Sequence, residues 1–450
     1  MARTSIFSSK LSKTANRHLR VGFFVAISPL IPHKKEAAQR PPRPLDPTRL
    51  PASPSSCSPP VSRGPSRADN LPVYPNLFVC YHLAKNIQDR RVEGLEGEVS
   101  RSGSQSIHSL DLMRFIAAIL VVCIHTKPLL SFNEDLSFGF ISSIARIAVP
   151  FFFMTSGYLF YSKIRKRQGD PQYVVKYLYR LILVYLFWSL VYFVYHAYVI
   201  YSEHQDVVQG LTSFVQNFFF DGSHFHLWYF PALIFAIALF YWLSRMLSVQ
   251  TILAISFVFY LAGLFGDSYS GLIEGNSALS GIVDGYESLF VSTRNGLFFG
   301  LFYVSLGAFM AVKKAAIRPS VSAFLCCVSL AGLVIEFYVL NTYTDPVDFN
   351  MMLFLIPSAY FLVHFLLNAK WPDWNLDYRL LRDSSVLIYC THPLFMIVYP
   401  KVFSLLSMNL EKNYSWLYFM ITLLSSFVLS FILIRLRQNE RTSKLVRLTY

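Results

Sequence analysis

The 450-residue chain is 54% hydrophobic, 16% aromatic and only 15% charged, with a mean hydropathy of +0.42. Soluble domains are nearer a quarter charged, and 41 Phe with 27 Tyr exceed what one water-soluble core can hide. With 20 Gly, 23 Pro and 6 Cys, collagen and a disulfide scaffold are excluded as well, which leaves an all-α, polytopic membrane protein as the expectation.

The first element is a basic tail. Residues 1–108 hold 16 Lys and Arg against 7 Asp and Glu, which is +9 of the net +14, and 13 of the 23 prolines precede residue 76. Stretches such as Pro41-Pro42-Arg43-Pro44 carry too little apolar surface for a core, so this Pro/Ser-rich segment is expected to be disordered. The apolar stretch 21–31 follows Lys10, Lys13, Arg17 and Arg20 as in a signal or transit peptide. Pro29 interrupts it, it is shorter than the ~20 residues of a spanning helix, and no small-residue cleavage site follows. A later start is the simpler expectation. No Met lies between Met1 and Met113, and Val99 follows Glu96-Gly97-Glu98, which a purine-rich ribosome-binding stretch can encode. A pI near 9.4 also suits nucleic acid, but the excess sits in this tail and between apolar spans, so no nucleic-acid partner is expected.

Ten apolar spans follow, at 110–130, 140–161, 177–201, 227–247, 249–266, 296–312, 321–341, 349–368, 384–407 and 416–435. Each is close to the length a helix needs to cross ~30 Å of hydrocarbon, and the runs are continuous where a barrel strand would alternate. Basic clusters occupy every second connection: Lys163 to Lys176, then Lys313, Lys314 and Arg318, then Lys370, Arg379 and Arg382, and finally Arg435 to Arg447. The intervening connections are acidic or neutral, with Lys401 and Lys412 as mild exceptions. Such alternation places both termini in the cytoplasm and a multi-pass domain over 109–437 in the plasma (inner) membrane, with a short tail at 438–450. The cysteines form no CxxC pair or His-spaced cluster, so no metal site is expected.

Ionisable side chains inside a span are costly and call for a reason. Span one carries Arg114 near its cytoplasmic entrance and His125 eleven residues on. Eleven steps of 100° end ~20° past three full turns, so both project from one helix face, ~16 Å apart. A cation near the cytosol and an imidazole at depth suggest a path from an anion site to a reaction centre. The plainer alternative is a snorkelling Arg and a His bonded to another helix.

The phrase Ser109-Leu110-Asp111-Leu112-Met113-Arg114-Phe115 through Ile124-His125-Thr126 resembles the first helix of the acyltransferase-3 family of integral-membrane O-acyltransferases, whose hallmark is an Arg, ten residues and a His. The resemblance continues in Ala148-Val149-Pro150 through Ser156-Gly157-Tyr158, in His226-Leu227-Trp228-Tyr229-Phe230, and in Ile388-Tyr389-Cys390-Thr391-His392-Pro393. It implies a ten-helix enzyme moving an acyl group, most often acetyl from acetyl-CoA, to a hydroxyl of a surface polysaccharide or lipid-linked glycan. It makes Arg114 and His125 the essential couple, and implies no bound cofactor beyond the acyl-CoA co-substrate. The basic motif opening the family's third helix, often two arginines, is matched here by Lys176 and Arg180, so the first position offers only a point charge.

On that reading His125 is the general base, and Lys176 and Arg180 join Arg114 in holding CoA phosphates. His392, followed by a helix-kinking Pro393, reads either as a second-site histidine or as a structural hydrogen-bonding group. Glu336 could orient the acceptor hydroxyl or simply be exposed at the outer interface, Arg146 could meet Glu336 or an anionic sugar, and Trp228 could stack on a sugar ring or belong to an aromatic belt. His364 reads as structural. Two rivals fit the same pattern of spans and buried charges: a secondary transporter exporting a glycan or small metabolite, and a membrane sensor that only binds.

Overall fold

The computed structural model describes residues 108–437, apart from 203–205, 274, 314 and 373, together with 448–450. The basic tail, its candidate start at Val99 and most of the segment 438–450 lie outside the described residues. Among the described residues the chain is helical, with no strand.

Helix α1 spans His108–Thr126 and ends short of the expected residue 130. Lys127 there takes φ 50°, since a residue preceding proline, here Pro128, is driven out of the helical region. Helix α2 (Glu134–Ser142) starts where Asn133 accepts the Leu136 N–H and two acids occupy the first turn. A 3-10 turn, Ile144–Ile147, leads from it into α3 (Ala148–Lys166). Helices α4 (Pro171–Ser202), α5 (Val207–Phe220), α6 (Tyr229–Leu243), α7 (Val249–Leu264) and α8 (Ser277–Phe290) follow. A π-helical turn at Gly296–Gly300 opens α9 (Leu301–Val312), and α10 (Pro319–Tyr343), α11 (Leu355–Asn368), α12 (Tyr378–Ser404) and α13 (Ser415–Arg437) complete the order.

Among the described residues, six helical segments are long and apolar enough to cross a membrane: α1, the α2–α3 run, α4, α10, α12 and α13. Four further apolar runs form shorter helices, α6, α7, the π turn with α9, and α11. At 1.5 Å per residue the 14-residue α11 is only about 21 Å long. The expected span 349–368 begins as helix only at Leu355, because side chains claim the backbone donors ahead of it. Asp267 accepts the Met351 N–H at 2.8 Å, and Glu336 accepts those of Leu353 and Phe354 at 2.6 and 2.8 Å. Helices α5 and α8 lie where the sequence reads as acidic or neutral loops. Neither contains a buried residue, and Val207, Val208, Ile282 and Leu289 are exposed. Their apolar residues recur at helical spacing and form no continuous run, so a search for long apolar runs passes over them.

The shorter helices pack between the long ones, with α9 against α3, α7 and α6, and α11 against α10 and α3. Helices α3 and α9 touch backbone to backbone. A Cβ on Gly157 would collide with the Val304 carbonyl, and a Cβ on Gly307 with the Met154 carbonyl. Small residues that let backbones approach favour close van der Waals packing of helices in lipid, where no hydrophobic driving force acts between helices. Gly157→Ala and Gly307→Ala are therefore each expected to cost about 1–3 kcal/mol by overpacking. Thermal unfolding in detergent checks this; unchanged melting of both variants would show that the two helices part freely.

Candidate active site

The four sequence phrases, far apart in the chain, meet in one column of hydroxyls and imidazoles. Arg114 donates to Asp111 at 2.8 Å. Ser156 lies 3.2 Å from the Tyr229 hydroxyl. The Tyr229 and Tyr389 rings are 5.8 Å apart, Tyr389 and His226 5.5 Å, and His226 and His392 5.3 Å. His125 closes the series, stacked on His392 at 5.4 Å with an interplanar angle of 21°.

Local backbone chemistry aims these groups. Gly222, at φ 85°, lets segment 222–228 fold back so tightly that any Cβ there would strike the Trp228 amide. The Tyr389 hydroxyl donates to the His226 carbonyl and ties that segment to α12. In α12, Pro393 has no N–H to offer the preceding turn, and the His392 ring donates from Nδ1 to the Ile388 carbonyl at 3.1 Å. With the proton on Nδ1, Nε2 carries a lone pair; it is buried without a partner among the described residues, as are both ring nitrogens of His226.

A cavity of about 40 Å³ opens beside His125, His226 and Tyr389. That is room for a few waters. Its polar wall is completed by Arg146, Arg294 and Asn350. Arg146 donates to the Asn350 side-chain oxygen and, at 2.7 Å, to Asp348. Arg294 donates to Asp221 at 3.2 Å and covers the Trp228 ring at 4.7 Å. The Asn350 amide donates to Asp348 at 2.7 Å and to Asp267 at 3.0 Å. Burial disfavours an ionised Asp348, but Arg146 and Arg294 outweigh it and hold the carboxyl below the usual carboxylate range.

The structure thus brings His125, His392, Arg146 and Trp228 together and places the other candidates elsewhere. Arg114 does not line the cavity and is engaged by Asp111. Lys176 and Arg180 are exposed on α4, beside Tyr177. Arg146 meets Asp348, not Glu336. Glu336 is 8% exposed, does not line the cavity, and spends its carboxylate on the Tyr269 hydroxyl and two backbone N–H groups, where it clasps the start of α11. The face of Trp228 is occupied by Arg294. His364 joins Ser322 at 2.7 Å, a contact between α11 and α10. The site residues not singled out from the sequence are His226, Tyr389, Arg294 and Asn350. His226 and Tyr389 sit inside the quoted phrases. Arg294 had a signal of its own, as a lone cation in a connection otherwise acidic by the charge alternation.

Apolar helices long enough to span a bilayer, around a buried imidazole cluster, define a membrane protein with a polar pocket in its helical body. The chain belongs to the acyltransferase-3 family: the family model, described as an acyltransferase domain, matches residues 107–435. It is also 31% identical over 340 residues to an amino-acid racemase of Enterococcus faecalis, covering 75% of this chain and 47% of that protein. A serine/alanine racemase of Enterococcus gallinarum is 31% identical over 286 residues, or 63% of this chain and 40% of the relative. The chain spans less than half the length of these curated relatives. No solved structure matches it.

Glu336→Ala leaves two backbone N–H groups and the Tyr269 hydroxyl without their acceptor, each at about 1–3 kcal/mol. The expected outcome is a clear fall in melting temperature with little change in acceptor preference among molecules that remain folded. A shift in acceptor preference at unchanged stability would return Glu336 to the site.

Proposed function

We propose that the chain is a membrane O-acyltransferase that moves an acyl group, most simply acetyl, from cytosolic acyl-CoA to a hydroxyl of a cell-surface polysaccharide or lipid-linked glycan. The observation that carries this reading is the stacked His125–His392 pair at the cavity. In this reading ten spans cross the inner membrane with both termini in the cytoplasm, supported by the alternation of basic and acidic connections. Arg114, Lys176 and Arg180 then lie on the donor side. His125 takes the proton of the acceptor hydroxyl, the oxygen attacks the thioester carbonyl carbon, the C–S bond breaks, and the proton returns to the departing CoA thiolate. His392, with its free Nε2, holds the neighbouring position for a second proton transfer.

Two measurements test the assignment. His125→Ala is expected to lower acylation 10²–10⁴-fold while the protein still inserts, and retention of more than about a tenth of the activity would dismiss it as the base. Arg114→Lys keeps the charge but loses the planar fork, so it is expected to raise the donor KM before it lowers kcat. Unchanged donor affinity in Arg114→Ala, with insertion confirmed, would remove Arg114 from the donor site and leave it as the partner of Asp111.

The names of the racemase relatives favour one second reading: this membrane body handles a small amino acid, as a transporter would. Labelled acetyl-CoA and labelled serine supplied to sealed membranes separate the two. A labelled glycan supports the enzyme, and serine accumulation without acylation supports transport.

A further inference from the structure

We propose that α5 is a re-entrant helix, which turns back into the bilayer from the end of α4 and sets Val208, Leu211, Val215 and Phe219 against lipid acyl chains. The inference rests on α4 crossing the membrane, as its length and apolar composition allow, and it adds a membrane element to the ten spans of the reading above.

Contacts with α4 fix the level of α5. A Cβ on Gly210 would meet the Ile200 side chain. The Phe214 ring lies 5.1 Å from that of Phe193, and the Phe218 ring 5.0 Å from that of Tyr185. Just beyond α5, the Ser223 hydroxyl donates to that of Ser189 at 2.7 Å. As α5 advances, its partners on α4 step back, so the two helices run antiparallel. The exposed stripe of α4 comprises Ile182, Leu186, Leu190, Val194, Tyr198 and Tyr201. At 1.5 Å per residue it is about 28 Å long, close to the ~30 Å of hydrocarbon in a bilayer. Residues 185–200 lie within that stripe, so α5 packs beside the part of α4 that lipid surrounds.

The chemistry of α5 suits that level. Between Val207 and Phe220 there is no Asp, Glu, Lys or Arg. Val208, Leu211, Val215 and Phe219 are all exposed, and at 100° per residue they fall within about 80° of arc. In water this face would be an unprotected apolar patch; beside α4 it continues a lipid-facing surface. Gln209, Ser213 and Gln216 occupy the opposite arc, which suits water admitted from the Ser202 side. At the entry, Asp206 accepts the Gln209 N–H at 2.8 Å and closes the first turn. A helix satisfies its own backbone and can face lipid, whereas irregular backbone at membrane depth must be buried in protein. The chain follows that division: α5 is exposed, while Ser223, His224, His226 and Leu227 in the irregular return after it are buried.

The test places single nitroxide labels in nanodiscs through Val208→Cys, Val215→Cys and Phe219→Cys. The full chain is used with Cys57, Cys80 and Cys327 replaced by Ser, since Cys123, Cys326 and Cys390 are buried. Collision with oxygen is expected to rise, and with a water-soluble nickel chelate to fall, from 208 through 215 to 219. The depth gained is bounded by the ~16 Å of helix between the ends. Equal depth at all three positions would show a helix lying flat on the membrane surface and overturn the proposal. So would free collision with the chelate at all three, or low collision with both reagents, the mark of a second copy or another protein segment covering the face. Phosphatidylcholine carrying an acyl-chain diazirine, crosslinked to the unsubstituted chain, decides the matter where a labelled variant fails to fold. Adducts are expected on both 208–219 and the α4 stripe. Adducts on α4 alone overturn the re-entrant helix, and adducts on neither overturn the membrane-crossing reading of α4 and the proposal with it.

Discussion

Backbone contact between α3 and α9 sets the spacing on which the cavity depends. Helix α3 brings Ser156 to the column and Val149 to the cavity wall, while the turn leading into α9 brings Phe299 and, just before it, Arg294. Were these helices held apart by ordinary side chains, the two walls would separate by a methyl group or more, and a cavity of about 40 Å³ would not survive as an enclosed space. In lipid the apolar side chains cannot supply the missing cohesion, so the glycines at 157 and 307 do by permitting contact what a hydrophobic core does in water.

A second constraint comes from buried acids that serve structure. Glu336 and Asp267 take backbone N–H groups from the irregular run ahead of α11, which leaves Asn350 free of helical geometry and able to bridge Arg146, Asp348 and Asp267. Breaking a helix within an apolar environment is tolerated where other protein groups satisfy the freed backbone. Here the carboxylates do so, and the broken stretch becomes part of the polar wall.

Much of this was legible in the residues. Continuous apolar runs marked the helices, and the Arg114–His125 spacing with three further phrases marked the family. What escaped was set by partners remote in sequence. Glu336 looked available for an acceptor because nothing in its own helix reveals that Tyr269, Leu353 and Phe354 will claim it. Arg146 was a candidate, yet its partner Asp348 lies about two hundred positions away. His226 carried no spacing rule to another histidine, since its nearness to His392 arises from the tight return at Gly222. Boundaries failed where proline or side-chain capping overrode apolar continuity, at Lys127 and at 349–354.

The π-helical turn at Gly296–Gly300 makes the length of the chain here matter as much as its composition. Such a turn accommodates one residue more than an α-helix would. Deleting that residue would let the turn relax into regular helix and rotate everything before it by about 100° relative to α9. Phe299 and Arg294 would then no longer face the cavity together. A relative differing by a single deletion at this point could keep every residue of the column and still present a different wall to its substrate, so selectivity in this fold can change by register alone.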